Sequence, residues 1–338
     1  LQYSQHLWSS LFWINISTES MEQILIFISP SKISAEEFNL SARKGGQMGV
    51  RLKTSVSLSV FERPQGMPAL FSGGTEKNIK RIKELGYDGV DLFVRDPFDK
   101  TTQKTLQLLR HYQLGIGAIM PAALAGEGLF LGDINSEIRK EAVQRIGEII
   151  HLAGETDGMV SLGLVRGNKL PGEPLEAFEE RFSASCRELL DLAQPLGVAL
   201  LIEPINRYEI NTINSVREGM DFLKRTGLPM YLMLDTFHMN IEDVDIGSEL
   251  LNALPFTKHI HFLDSNRLVP SMGHLDMEAY YHMLNKAGYE GYLCLEALAD
   301  KVSPDECAVR GAEFFNLMRR KKSVCQERTQ EKKGCLQS

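Results

Sequence analysis

The chain has 338 residues, 43% of them apolar and 24% charged, with a formal net charge of −7 and no long basic block. That balance argues against a duplex nucleic-acid binder, whose affinity rests on neutralising phosphates, and no run of eighteen or more apolar residues is present to span a membrane. Five cysteines (Cys186, Cys294, Cys307, Cys325, Cys335) form an odd set without a C-x-x-C pair, which fits a reducing cytoplasm better than a secreted disulfide framework.

Residues 1–47 hold neither helical nor strand periodicity for long and read as a non-native or disordered leader. Lys44-Gly45-Gly46-Gln47 resembles a translated purine-rich leader, so the protein proper is expected to start at Met48. The apolar stretches 7–16 and 24–28 lack the basic flank and small-residue cleavage site of a signal peptide, and Asn15-Ile16-Ser17 matches a glycosylation pattern by chance on this reading. From Lys53 a strand signal, a turn and an amphipathic helical stretch recur eight times, the sequence form of βα units in a parallel sheet. The predicted strands are 54–60, 89–94, 115–119, 159–165, 198–203, 231–235, 259–263 and 292–296, and the last helix ends near Arg319. Because crossovers between parallel strands are right-handed, eight units curl until the first strand meets the last. The expectation is a single-domain (β/α)8 TIM barrel over 48–320, followed by a charged tail, 321–338, that frays.

The last four predicted strands end alike. Leu201-Ile202-Glu203, Leu234-Asp235, His259-Ile260-His261 and Leu295-Glu296 each run from apolar residues into a carboxylate or an imidazole. Taken alone, such a residue is better read as the cap of the following helix. Four on consecutive strands point instead to a shared site, since barrel enzymes carry their chemistry at the carboxyl ends of the strands. Three carboxylates and one imidazole make an oxygen-rich set suited to Mn²⁺ or Mg²⁺, with Co²⁺ as a substitute. Nearby stand Asn206, Arg207 and Glu209, then His238 and Asn240, then Asp264, Asn266 and Arg267, a complement for an open-chain polyol. Arg267 suits a developing enediolate oxygen, and Glu209 and His238 suit neighbouring hydroxyls.

With Ile202 to Glu209, Asp235 to Asn240, His259-Ile260-His261, Asp264 to Arg267 and Leu295-Glu296 in view, the chain from about Lys53 to Arg319 resembles the xylose-isomerase-like barrels. Within them it is similar to the ketose 3-epimerases of the D-tagatose and D-psicose type. Val94-Arg95-Asp96-Pro97 and Gly163 to Gly167 look most like the 5-keto-L-gluconate epimerase branch. The resemblance implies one divalent ion, commonly manganese, on Glu203, Asp235, His261 and Glu296. It implies proton transfer by Glu203 and Glu296, substrate contacts from Glu209, His238 and Arg267, and assembly as a dimer or tetramer. Arginines at 95 and 166 would suit a substrate carboxylate. One departure is Ser271, which follows Pro270 where the family usually places glycine; if that position takes positive φ, the serine is strained.

The expected partner is a small sugar or keto sugar acid, with neither nucleic acid nor membrane. In the expected reaction a divalent ion acidifies the C–H between a carbonyl and a hydroxyl, one glutamate removes the proton, and the other returns it from the opposite face. A single base on one face would instead give an aldose–ketose or hydroxypyruvate-type isomerase. A metal-dependent abasic-site endonuclease on the same barrel is the distant alternative, disfavoured by few histidines and the acidic balance.

Overall fold

The computed structural model describes residues 51–335. The chain divides into two units, Leu1–Met48 and Gly49–Ser338, and the described residues belong to the second. The expectations for 1–47, including the start at Met48 and the Asn15 pattern, lie outside the described residues, as does 336–338.

Among the described residues there are nine parallel strands: β1 (Lys53–Ser59), β2 (Phe71–Ser72), β3 (Gly89–Phe93), β4 (Gly115–Met120), β5 (Met159–Ser161), β6 (Leu200–Ile202), β7 (Tyr231–Asp235), β8 (Thr257–His261) and β9 (Tyr292–Leu295). They follow one another in chain order apart from the two-residue β2, which pairs with the end of β1 at Leu58 and Ser59, and β1 pairs with β9, so the other eight close into a ring. The predicted (β/α)8 barrel is the fold. Between the strands lie α1 (Glu76–Glu84), α2 (Lys100–His111), α3 (Ala122–Gly126), α4 (Ser136–Gly154), α5 (Leu175–Ala193), α6 (Val216–Thr226), α7 (Thr236–Glu242), α8 (Ile246–Ala253) and α9 (Met277–Lys286), with α10 (Pro304–Cys335) last. The backbone of α10 continues past Arg319, where the sequence pattern stops, to Cys335.

Local chemistry sets the helix starts. Thr75, Asp99, Asn135, Ser215, Asp245 and Asp276 each accept a backbone N–H of the first turn, satisfying donors that a helix cannot pair internally. The predicted fourth strand, 159–165, is cut short at Ser161. Gly163 leaves the sheet there and Leu164–Arg166 forms a 3-10 turn.

Strand side chains alternate between the two faces. Val90, Leu92, Leu232, Leu234 and Ile260 belong to the main apolar core, whereas Phe93, Ala118, Met120, Leu201 and Met233 form a separate small cluster. Contact between Asp91 of β3 and His259 of β8, strands that are not neighbours in the sheet, crosses the interior and fixes which face is inward. By the same alternation Leu201 and Glu203, Met233 and Asp235, His259 and His261, and Cys294 and Glu296 point inward. The upper inward layer therefore carries all four predicted ligands.

Candidate metal centre and sugar cavity

Glu203, Asp235, His261 and Glu296 converge as the strand ends predict: one ligand atom from each lies within 4.8 Å of all the others. His261 Nδ1 is 3.5 Å from both Glu203 Oε1 and Glu296 Oε2 and 3.9 Å from Asp235 Oδ2. All four residues are buried. Asp235 has two roles. Its Oδ1 accepts the Phe237 N–H at 2.8 Å and caps α7, while Oδ2 faces the cluster.

Two buried atoms of this set, Asp235 Oδ2 and His261 Nδ1, have no hydrogen-bond partner. Leaving such an atom unpaired costs about 1–3 kcal/mol. The cluster offers acceptors and no donor to match them, so the group that fits is a cation, and the carboxylate-rich set fits a hard or borderline divalent one. The charges are unevenly shared. Burial pushes Glu296 up to about 8, aided by the nearby charges of Glu203 and Asp235, and burial likewise raises Asp235. Burial also acts on Glu203, but His261, His238 and Arg267 outweigh it and hold that carboxyl below its usual range. For His261 burial favours the neutral ring, yet Glu296, Asp91 and Glu203 hold its pKa well above the ordinary value. A proton and a metal ion thus compete for Nδ1.

A cavity of about 470 Å³ opens over the cluster, lined among others by Glu203, Glu209, His238, Arg267 and Glu296. Arg267 donates from Nη1 to Glu209 Oε1 at 2.8 Å and from Nη2 to Glu296 Oε2 at 3.4 Å, and its guanidinium lies 5.2 Å from the centre of the Phe237 ring. Asn206 orients the side of the cavity that carries Glu209 and His238. Its Oδ1 accepts the Tyr208 N–H at 3.0 Å, so Nδ2 faces Glu209 Oε1 at 2.9 Å and His238 Nδ1 at 2.8 Å. His238 Nδ1 is then an acceptor, and the ring proton sits on Nε2, 3.8 Å from Glu203 Oε1 and 3.6 Å from Asp235 Oδ2. Gly163 supports this packing because a Cβ there would lie 2.6 Å from Glu203 Oε2.

Other predicted contacts lie elsewhere. Arg166 is fully buried, and its guanidinium donates to the carbonyls of Glu203 (3.0 Å) and Thr212 (2.8 Å) and to Thr212 Oγ1 (3.3 Å). Its guanidinium is taken up by backbone carbonyls and a hydroxyl and does not line the cavity, so it is not placed to grip a substrate carboxylate there. Arg95 does line the cavity, at the mouth, where it pairs with Glu127 at 3.1 Å and stacks over Phe61. Arg207 turns outward to Glu242. Asp264 and Asn266 hold their own loop: Asp264 accepts from the N–H groups of Ser265, Ser271 and Leu275, and Asn266 donates to the Met272 carbonyl. Ser271 has φ +72°, the left-handed conformation expected of a glycine position, and Arg267 itself has φ +58°.

Sequence patterning does not single out Asp91 or give His259 a role beyond its place in the His259-Ile260-His261 motif. Asp91 Oδ2 is 2.6 Å from His259 Nε2 and 3.2 Å from His261 Nε2. The available signal is an aspartate inside an otherwise apolar strand, Gly89-Val90-Asp91-Leu92-Phe93. The apolar wall from the loop after β1, including Pro64, Met67 and Pro68, likewise goes unmarked in the sequence.

Residues 79–318 match the profile of the xylose isomerase-like TIM barrel family. The chain belongs to that family. Among the relatives of this xylose isomerase-like barrel, L-ribulose 3-epimerase of Mesorhizobium japonicum is 27% identical over 245 residues, 72% of this chain and 82% of that protein. The 3-dehydro-D-guloside 4-epimerase of Escherichia coli is 24% identical over 237 residues, 68% of this chain and 88% of that protein. The crystal structure of 3-keto-D-glucoside 4-epimerase from E. coli superposes with a TM-score of 0.67 at 21% identity, covering 78% of this chain and all of that one, a likeness of fold. These relatives are epimerases acting on carbohydrates, and this barrel falls in that enzyme class. No helix among its described residues is long and apolar enough to cross a membrane.

Proposed function

We propose that this barrel is a divalent-metal-dependent epimerase of a ketose or keto sugar acid, with Mn²⁺ on Glu203, Asp235, His261 and Glu296. The observation that carries the reading is the placement of two glutamates within one buried, carboxylate-rich cluster under a sugar-sized cavity. A bound divalent ion would supply Lewis acidity toward a carbonyl and its neighbouring hydroxyl, lowering the pKa of the C–H between them. Glu203, held ionised by His261, His238 and Arg267, is the group suited to take that proton. Glu296, raised by burial, is suited to deliver one. In the reverse direction the two exchange roles, as an epimerase requires. Arg267 places cationic donors over the same space and would stabilise an enediolate, while Glu209 and His238 Nε2–H would orient hydroxyls.

The buried position of Arg166 moves the balance toward a neutral ketose. Of the two arginines expected to read a carboxylate, that leaves Arg95, which would have to exchange Glu127 for the substrate. The test is to incubate the purified protein with Mn²⁺ and a panel of ketoses, keto glycosides and keto acids in D₂O, following deuterium by NMR. Uptake at one carbon with inversion there is the expected result, and chelation should abolish it with recovery on adding Mn²⁺. Deuterium entering with a change from ketose to aldose and no inversion would assign the isomerase reaction instead. Full turnover in protein shown to be metal-free would remove the metal from the proposal.

A further inference from the structure

One carboxylate in the barrel interior serves two imidazoles. Asp91 is fully buried, and its Oδ2 lies within hydrogen-bond distance of the Nε2 atoms of both His259 (2.6 Å) and His261 (3.2 Å). Its other oxygen, Oδ1, accepts the Ser55 hydroxyl at 3.1 Å. The backbone of β4 closes in from the side, since a Cβ at Gly117 would meet Asp91 Oδ1 at 2.7 Å and His259 Cε1 at 2.9 Å. The carboxylate therefore has little room to rotate. An ionised carboxylate only accepts, so each Nε2 that faces it must carry hydrogen. The imidazole of His261 then keeps its Nδ1 lone pair for the cluster of Glu203, Asp235 and Glu296. The same geometry gives His259 a bare Nδ1, and that buried atom has no hydrogen-bond partner.

Asp91, His259, His261 and Cys294 also bring ligand atoms within 4.8 Å of one another, which raises the question of a second metal site. The hydrogen bonds decide against it. Both imidazole nitrogens in that group present N–H to the carboxylate, so their lone pairs are on the far side of each ring.

We propose that Asp91 is the positioning residue of the metal centre: it fixes the Nε2–H form of His261, aims Nδ1 at the ion, and holds His259 in the same state as a packing partner. This rests on the reading of Glu203, Asp235, His261 and Glu296 as metal ligands. A carboxylate behind a ligating histidine raises the basicity of the ring as well as orienting it, and its loss weakens metal binding by about 10- to 100-fold.

Mn²⁺ binding to metal-stripped protein, read by the EPR signal of the free ion, tests the proposal without reference to turnover. Wild type is expected to take up one Mn²⁺ per chain, and Asp91→Asn to bind it about 10- to 100-fold more weakly while its far-UV circular dichroism stays that of wild type. A folded Asp91→Asn protein within about threefold of wild type, well inside that range, overturns the role of Asp91 but leaves the metal site standing. Two Mn²⁺ per chain overturns the exclusion of the second cluster, and with it the Nε2–H assignment. Absence of any binding by wild type overturns the metal reading itself. Long-range ¹H–¹⁵N spectra of the Zn²⁺-loaded wild type, which do not depend on a variant folding, should show His259 and His261 both protonated on Nε2 with downfield N–H resonances. A proton on His259 Nδ1 with Nε2 bare overturns the proposal.

Discussion

The two halves of the barrel rim are built from different materials. β7 and β8 end in Asp235 and His261, Glu203 and Glu296 directly follow β6 and β9, and Glu209, His238 and Arg267 stand on the segments just beyond. The opposite half, from β1 to β5, presents Phe61, Pro64, Met67 and Pro68 after β1, Phe93 on β3, Met120 on β4 and Leu164 after β5. Groups that bind a cation and move protons thus sit on one side, and a mostly apolar wall that shapes the space sits on the other. Charged groups need partners when buried, and placing them on adjacent strands lets each serve the next. The loop wall after β1 has no such need and can vary in shape without disturbing the ions.

That division predicts a graded set of effects. The largest is expected from Glu203→Gln or Glu296→Gln, each of which removes a proton carrier and weakens the metal set. Epimerisation should fall beyond the roughly 10²- to 10⁴-fold typical of one acid–base group. A single variant that retains metal is expected to exchange deuterium into one epimer without forming the other, and near-normal epimerisation by either would sink the two-base scheme.

Next comes Arg166, which follows β5 on the apolar half but reaches the Glu203 carbonyl of the polar half without lining the cavity. Arg166→Met leaves the Glu203 and Thr212 carbonyls unpaired, at about 1–3 kcal/mol for each buried group left so. Loss of stability in urea and a fall in kcat shared equally by neutral and acidic substrates are expected. Arg95→Ala is the contrasting variant, with unchanged stability and a KM effect confined to carboxylate-bearing substrates. If Arg166→Met harmed keto acids alone, its assignment to backbone support would have to be abandoned.

On the apolar half, Met67→Ala should raise KM about fivefold, corresponding to about 1 kcal/mol of lost burial, with kcat close to wild type. A large drop in kcat would mean that the wall also takes part in the chemistry. The smallest effect is expected at Asp243, just past α7. Burial pushes its pKa up to about 7, although its Oδ1 accepts the Val216 N–H. With the folded pKa raised, the native state holds a proton that the unfolded chain has lost, so stability declines as pH rises from about 4 to 7. Asp243→Asn should therefore raise Tm by roughly 2–4 °C at pH 8 and leave it unchanged at pH 4. An equal shift at both pH values would locate the effect in packing.

Much of the polar half is legible in the amino-acid sequence, because an apolar run ending on Glu203, Asp235, His261 or Glu296 records both the strand and the end at which its last side chain emerges. Period-two alternation then decides that all four share the inward face. Ser271 stands out only through the family resemblance, as a serine where glycine is usual, and its φ is positive. Arg166 misleads because sequence shows that an arginine follows a strand, not which way the chain turns; the short β5 and the 3-10 turn after Gly163 rotate it beneath Glu203. Asp91 gives no such signal because its partners are about 170 residues away in the chain and meet it only across the closed barrel. The apolar wall is hidden in a loop with no periodic pattern.

Asp235 and His238 occupy the start of one helix, α7, with Asp235 as its cap and His238 in its first turn. A ligand of the proposed ion and a proposed contact to the sugar are therefore mounted on a single rigid arm. Any substitution that tilts α7 to accommodate a different sugar must carry the Asp235 carboxylate with it. Changes of substrate obtained by moving this helix should come with changed metal affinity, whereas changes made through the β1 loop on the far side should leave the ion untouched.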